Sequence, residues 1–155
     1  ATHGLLPGDL GLDEPGLALA APLAGDGDDD GVLTASEIAA MRLSASIVLL
    51  SACNTADPGG RGARGISGLA RAFFHAGART LVASHWRVDD VASARLTTAM
   101  MRGVAAGSGK ARAMREASLT MLDSDDDPDL GPNAAHPAYW APFTVIGEPA
   151  RDRAR

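Results

Sequence analysis

The single cysteine of this 155-residue chain, Cys53, lies where a nucleophile is often found. It follows the apolar run in IVLLSACNTADPGG, residues 47–60, and precedes a Gly/Pro-rich segment. In parallel α/β sheets, active groups gather where strands end and loops begin. A thiol attacks as its thiolate, which needs a base or a positive field beside it. The alternative is a small buried hydrophobic residue, because free cysteine is among the most buried residue types.

Four histidines could supply the base, and their sequence settings differ. His75 belongs to a Phe-rich helical segment and His136 precedes a proline, so a structural role and a turn role are expected for them. His85 comes late in an apolar strand, where it could face a cleft. His3 is followed by Gly4, and a strand that ends in His-Gly can aim an imidazole outward while the glycine N–H stays open to a substrate oxygen. His3 is therefore the candidate base.

The segments that must position these residues predict a layered α/β fold. Four apolar or β-branched runs favour strands: residues 17–23, 44–52, 80–86 and 139–148. Four segments carry helix signals: residues 34–43, 66–78, 89–107 and 110–124. Residues 58–65 are expected to form a flexible loop and residues 151–155 a disordered charged tail. Alternation of strands and helices predicts a mostly parallel sheet with helices on both faces.

Composition narrows the class of protein. At 46% hydrophobic and 21% charged residues the chain is typical of one globular domain. A net charge of −5 argues against partners such as nucleic acid or an anionic membrane. The apolar runs are too short to span a bilayer, and no signal peptide is recognisable. One cysteine cannot form an internal disulfide, so a cytoplasmic location is expected.

Four stretches of the chain resemble, in order, the CHAT family of caspase-like cysteine peptidases, which are often found C-terminal to tetratricopeptide repeats. These stretches are ATHG, IVLLSACNTA, GISGLARAFFHAGARTLVASHWRVDD and HPAYWAPFTVIGE, between residue 2 and about residue 148. His3 also precedes Cys53 by 50 residues, close to the separation of about 50 residues in caspases.

The resemblance implies a caspase–hemoglobinase-like sandwich in which His3 is the base and Cys53 the nucleophile. It also implies an oxyanion hole formed by the N–H groups of Gly4 and Cys53, each worth roughly 3–4 kcal/mol of barrier. Domains of this family normally start before the His-Gly motif, so residues 1–150 are expected to be the C-terminal part of a domain regulated by an N-terminal remainder or sensor domain. The alternative is a catalytically silent CHAT-like protein-interaction module, which calcium could regulate.

The resemblance implies a protein or peptide substrate, but the sequence defines the preferred substrate side chain less well than it defines the catalytic residues. Metacaspases related to this family carry an aspartate two residues before the nucleophile, which holds a basic side chain at P1, the residue before the scissile bond. Ser51 stands at that position here. Asp57, Asp89 or Asp90 could replace the aspartate, which favours a basic P1 residue, whereas nearby arginines leave the opposite preference open. These arginines are Arg61, Arg64 and Arg87.

Residues 26–37, DGDDDGVLTASE, match the calcium-loop pattern D-x-D-x-D-G-x5-E. The oxygen ligands would come from Asp26, Asp28, Asp30, the Val32 carbonyl, Thr34 and Glu37. The hydrolytic chemistry itself requires no cofactor, so calcium would be regulatory. The alternative is an acidic turn whose glycine and glutamate simply start a helix, with Thr34 or Ser36 as its cap.

Overall fold

A computed structural model describes residues 3–20, 30–51, 62–86, 89–123, 129–131 and 134–148, without the side chains of residues 62–67. The chain divides into two compact units, Ala1–Trp86 and Arg87–Arg155. The architecture is mixed α/β with small sheets and helices, as the sequence predicts. The predicted tail, residues 151–155, lies outside the described residues.

The first sheet consists of three short antiparallel strands, β1 (His3–Leu5), β2 (Gly16–Ala18) and β3 (Val32–Thr34), with β2 in the centre. Gly4 lies opposite Leu17, and Leu17 lies opposite Leu33. This sheet departs from the mostly parallel arrangement predicted for the chain. The physical reason is that the connection from β1 to β2 is too short for the crossover helix that parallel neighbours need.

The second sheet contains the parallel pair β4 (Val48–Leu50) and β5 (Thr80–Ser84), with Leu50 opposite Ala83. All five residues of β5 are buried, as expected for a strand that is covered on both faces. Helix α2 (Gly62–His75) lies between these two strands in the chain. For this pair the prediction of parallel strands joined through a helix is confirmed.

The core of the first unit is formed by β2, β4, β5, α2 and the short helix α1 (Ala35–Ala40), which directly follows β3. Its helices and strands contribute apolar side chains that the spacing of the sequence predicts to face inward. The buried members of this cluster are Leu17, Ile38, Leu50, Leu69, Ala70, Ala72, Phe73, Ala76, Ala78, Leu81 and Ala83.

Helix α2 ends at a glycine cap. Gly77 has a φ of 107°, and the Ala78 N–H donates to the Phe73 carbonyl at 2.9 Å, which closes the last turn. The start of α2 differs from the prediction, because the helix begins at Gly62, inside the segment 58–65 that was expected to be a loop. Once the buried face of α2 has nucleated the helix, adding residues at its start costs little.

The second unit contains α3 (Asp90–Ala105), α4 (Lys110–Leu122), α5 (Pro137–Trp140) and β6 (Phe143–Gly147). The predicted strand 139–148 is wrong at its start, because Tyr139 and Trp140 belong to α5. Pro137 suits the first helical position, and the His136 Nδ1 accepts a hydrogen bond from the Ala138 N–H at 3.1 Å. In the described part of the chain, no helix is both long and apolar enough to cross a membrane.

Candidate functional site

The carboxyl ends of β4 and β5 form one edge of the parallel pair. Ser51 directly follows β4, and His85 directly follows β5. The register sets Leu50 opposite Ala83, so the residues that follow each strand emerge at the same edge. Cys53 follows Ser51 by two positions but lies outside the described residues, as does Asp57. The position of the nucleophile at this edge therefore remains a prediction.

Two exposed rings lie at the end of β5. The His85 and Trp86 ring centroids are 6.3 Å apart with an interplanar angle of 35°. Trp86 is 40% exposed, which is unusual for a large aromatic side chain next to a buried strand. The sequence predicted a strand through residue 86, but β5 ends at Ser84, and this shorter strand leaves His85 in the segment after the sheet. His85 thus lies at the edge towards which β4 leads and is a further candidate for the base.

His3, the predicted base, is exposed at the first residue of β1. The His-Gly pair opens a strand, whereas the sequence led us to expect that it would close one. Gly4 lies opposite Leu17, and Leu17 belongs to the same buried cluster as Leu50. The strand opposite β1 is therefore packed into the core that also holds the end of β4. The pairing of His3 with Cys53 and the oxyanion hole remain predictions.

The other two histidines have distinct positions. His75 is exposed in the last turn of α2 and is not part of the core. A histidine near the C-terminus of a helix interacts favourably with the helix dipole when protonated. His136 caps α5, which confirms the turn role that the sequence predicted for it.

Asp89 and Asp90, two candidate substrate residues, lie at the start of α3 in the second unit. Asp89 is the N-cap, and its Oδ1 accepts hydrogen bonds from the Val91 N–H at 2.9 Å and the Ala92 N–H at 3.1 Å. Asp90 is exposed in the first helical turn. The Asp89 carboxylate thus has a structural task, while a role for either residue in substrate binding remains a prediction.

The described end of the acidic loop, residues 30–37, forms a helix start. The Glu37 Oε2 accepts hydrogen bonds from the Thr34 N–H at 2.8 Å and the Thr34 hydroxyl at 2.9 Å, and the Thr34 Oγ1 accepts from the Glu37 N–H at 3.3 Å. This reciprocal arrangement is a capping box. The alternative predicted from the sequence, a turn whose glutamate starts a helix, is confirmed as a structural role.

Calcium binding by this loop remains a prediction. Gly31 has a φ of 73°, as a sharp turn requires, and the Asp30 Oδ1 accepts from the Val32 N–H at 2.9 Å. Asp26 and Asp28 lie outside the described residues. Within the described ranges, no three His, Cys, Asp or Glu side chains are grouped as metal ligands.

Glu14 has a structural role that the sequence does not predict. Its Oε2 accepts hydrogen bonds from the Ser36 N–H at 3.0 Å and the Ser36 hydroxyl at 2.9 Å. The connection between β1 and β2 is thereby tied to the first turn of α1, which overlaps the end of the acidic loop. No local pattern could reveal this contact, because its two partners are 22 residues apart.

Comparison with known proteins places this chain in a family. The model of the CHAT domain family matches residues 1–148, a range that includes His3, Gly4 and Cys53. The chain belongs to the CHAT family. This CHAT domain is also 32% identical over 116 residues to tetratricopeptide repeat protein 28 of Mus musculus. The alignment covers 75% of this chain and 4% of that relative, so the chain spans only a small part of the relative's length.

Proposed function

We propose that this CHAT domain is a cysteine endopeptidase with Cys53 as its nucleophile and His3 as its base. The observation that carries the proposal is the edge of the β4–β5 pair. Ser51, two residues before Cys53, follows β4 at the edge where His85 and Trp86 are exposed. This setting supports a thiol beside an open surface with aromatic side chains, where an extended peptide could lie.

In the proposed reaction, the His3 imidazole takes the proton of the Cys53 thiol, and the thiolate attacks the scissile carbonyl carbon. The carbonyl electron pair moves to the oxygen, where the N–H groups of Gly4 and Cys53 would donate hydrogen bonds. Collapse of this intermediate breaks the C–N bond, and His3 protonates the departing amine. A water molecule activated by His3 then hydrolyses the thioester and regenerates the thiol.

Covalent labelling tests the nucleophile. A longer form of the protein that includes the proposed N-terminal remainder is treated with a peptidyl acyloxymethyl ketone that carries Arg at P1, and mass spectrometry identifies the modified residue. We expect Cys53 to be modified in the wild type, and no modification in Cys53→Ala. Modification of other residues at an equal rate would contradict the assignment of the nucleophile.

The choice of base is tested with three histidine variants. We expect His3→Ala to lower the labelling rate by at least about 100-fold, the usual lower range for losing a general base. His75→Ala is the matched control, because His75 is exposed on α2, and it should retain the wild-type rate. His85→Ala is the critical comparison, since His85 follows the neighbouring strand. A large loss in His85→Ala with an unchanged rate in His3→Ala would overturn the assignment of His3.

The preference for a basic P1 residue is part of the proposal. Asp90 is the preferred candidate for contacting such a residue, because the Asp89 carboxylate already accepts hydrogen bonds as the N-cap of α3. We expect an Arg probe to label Cys53 faster than otherwise identical Leu and Asp probes. In Asp90→Asn the Arg probe should lose several-fold in rate while the Leu probe keeps its rate. Equal changes with both probes would argue against a contact with P1.

A second candidate function is a catalytically silent protein-interaction module. The similarity to a tetratricopeptide repeat protein favours it, because repeat arrays of this kind present extended binding surfaces. Circular dichroism first shows that the sample is folded. If none of the Arg, Leu and Asp probes then labels the protein, the result supports the interaction module and overturns the peptidase proposal. In either case, an N-terminal sensor region of the same protein is a proposed partner.

A further inference from the structure

Helix α5 is a single turn whose start is held by a histidine ring. Its first residue, Pro137, has no backbone N–H, so Ala138 carries the first amide of the helix that needs an acceptor. The His136 Nδ1 accepts from this amide at 3.1 Å. The residues usually found at such a position are serine, threonine, asparagine and aspartate, whose capping oxygens do not ordinarily titrate near neutral pH. The cap of α5 instead depends on the protonation state of an imidazole.

Only a neutral imidazole can act as this cap. A ring nitrogen accepts a hydrogen bond through its lone pair, so Nδ1 must carry no proton, and the neutral ring then holds its proton on Nε2. When the ring is protonated, both nitrogens are donors, and the Ala138 N–H loses this acceptor. The positive charge would also lie at the N-terminus of α5, where the helix itself carries a partial positive charge. Acidification therefore weakens the start of α5 in two ways.

The turn itself is too short to stay folded without such support. The Tyr139 N–H donates to the His136 carbonyl at 3.0 Å, and the Ala141 N–H donates to the Pro137 carbonyl at 2.9 Å. Nucleation of a helix is costly, so one turn is not stable in water unless caps and packing hold it. Loss of the cap therefore favours opening of the whole of α5, not only fraying of its first residue.

Trp140 joins α5 to its surroundings. Its carbonyl accepts from the Ser118 hydroxyl of α4 at 3.2 Å, and its Nε1 donates to the Ala135 carbonyl at 2.9 Å. The indole hydrogen bond spans the cap, since Ala135 precedes His136 and Trp140 is the last residue of α5. Opening of α5 would separate the indole from Ala135, and so the indole N–H reports whether the cap is closed.

The other charged groups near α5 do not share the titration range of histidine. No second histidine occurs in residues 87–155, which form the second unit. Helix α5 packs against α3 and α4, whose charged residues are Asp90, Arg95, Arg102, Lys110, Arg112, Arg115 and Glu116. Asp129, which pairs with Arg95, lies in the segment before α5. Carboxylates, lysine and arginine ordinarily keep their charge between pH 5 and 8, where histidine ordinarily changes its own. A response of α5 to mild acid is therefore expected from His136.

We propose that His136 makes α5 a pH-sensitive element of the second unit: the neutral ring holds the helix closed, and protonation of the ring opens it. In the open form the Ala138 N–H loses the His136 acceptor, and the Trp140 indole leaves the Ala135 carbonyl. The closed form prevails at pH 8, and the open form becomes more populated as the pH falls towards 5. This proposal is independent of the peptidase, because it uses none of the residues proposed for catalysis.

NMR of the full chain between pH 8 and pH 5 tests the proposal. At pH 8 we expect the ¹⁵N shifts of the His136 ring to show a proton on Nε2 and none on Nδ1. Hydrogen exchange of the Ala138 amide is corrected for its intrinsic dependence on pH. Its protection should then fall about fivefold from pH 8 to pH 5, the usual effect of losing one N-cap. The Trp140 indole N–H resonance should shift over the same pH range.

Histidine variants identify the group that responds. His136→Asn supplies a cap that does not titrate, so Ala138 should stay protected at both pH values, whereas His136→Ala should leave it weakly protected at both. His75→Asn is the matched control, because His75 is an exposed histidine on α2, and it should keep the wild-type response. An unchanged protection in the wild type, or a pH response that persists in His136→Asn, would overturn the proposal. His136→Asn decides this even if His136→Ala does not fold, and no measurement here depends on labelling of Cys53.

Discussion

Leu17 of β2 and Leu50 of β4 belong to one buried hydrophobic cluster, although their strands lie in different sheets. Gly4 lies opposite Leu17, and Ser51 follows Leu50. The cluster therefore links β2, which pairs with the strand that carries the proposed base, to the strand that leads to the proposed nucleophile. Since protein interiors are close-packed, a change at either leucine is transmitted through the shared core.

Truncation of Leu17 tests this link. Leu17 is 5% exposed, so we expect Leu17→Ala to lower the free energy of unfolding, measured by urea denaturation, by about 2–5 kcal/mol. The matched control is Leu10→Ala, because Leu10 is 80% exposed, and its effect should stay within about 0.5 kcal/mol. Equal effects in the two variants would contradict the packing described for β2. In the folded fraction of Leu17→Ala, slower labelling of Cys53 is also expected.

Gly77 and Gly107 are a matched pair of positive-φ glycines that differ in the space around them. Gly77 has a φ of 107°, and an added Cβ would lie 2.4 Å from the Leu43 carbonyl oxygen, whereas Gly107 has a φ of 97° with nothing within 4 Å. Both alanine variants incur backbone strain of about 1–2 kcal/mol. We expect Gly77→Ala to be less stable than Gly107→Ala by about a further 1–3 kcal/mol, the usual penalty of overpacking.

Thermal and urea denaturation of both glycine variants give this difference. A similar loss of stability in the two variants would show that backbone strain alone sets the size of the loss. The end of α2 would then be able to move away from Leu43. A loss confined to Gly107→Ala would contradict the close approach of Gly77 and Leu43 altogether.

The cap of α3 leads to a separate prediction. Asp89→Ala removes the acceptor of two backbone N–H groups, and we expect the free energy of unfolding to fall by about 1 kcal/mol. Hydrogen exchange at the Val91 and Ala92 amides should accelerate together. Asp90→Ala, one position later, removes a carboxylate that caps no amide in the described hydrogen bonds, and should cost less. If Asp90→Ala is the more destabilising of the two, the assignment of Asp89 as the cap is wrong.

Calcium binding by residues 26–37 would compete with the capping box of α1. To bind an ion, the Glu37 carboxylate would have to turn away from the Thr34 N–H and hydroxyl that it now contacts. We expect added calcium to raise the melting temperature, because a ligand at 100 times its Kd stabilises a fold by about 2.7 kcal/mol. Hydrogen exchange at the Thr34 amide should become faster in calcium, as that amide loses its acceptor.

Two asparagine variants make the calcium prediction specific. Asp28→Asn should abolish the rise in melting temperature, whereas Asp13→Asn, an exposed acidic position outside the loop, should keep it. Isothermal titration calorimetry measures binding independently of stability. If the wild type shows no heat of binding and an unchanged melting temperature, the calcium prediction is wrong. The loop then has only the structural role of starting α1.

Local signals in the sequence predicted much of the fold. The cap at Thr34 is one of the two that residue type and position predict, since a cap depends on neighbours within a few residues. The same holds for the buried strand β5 and for helices α3 and α4, whose segments carry helix signals. Errors arose at element ends, such as the start of α2 and the helical Tyr139–Trp140 segment, where packing and a local cap outweighed the apolar pattern.

The sequence by itself determined the family, the candidate dyad of His3 and Cys53, and most helices and strands, because these depend on residue types and on short-range spacing. Only the tertiary structure decided that Gly4 lies opposite Leu17, that Glu14 holds Ser36, and that α3 packs closely against α4 at Gly103 and Ala113. Each of these facts joins residues distant in sequence, and a shift of one residue in a strand's register would turn its side chains to the other face. Such pairings depend on how the whole core packs, which no single segment encodes.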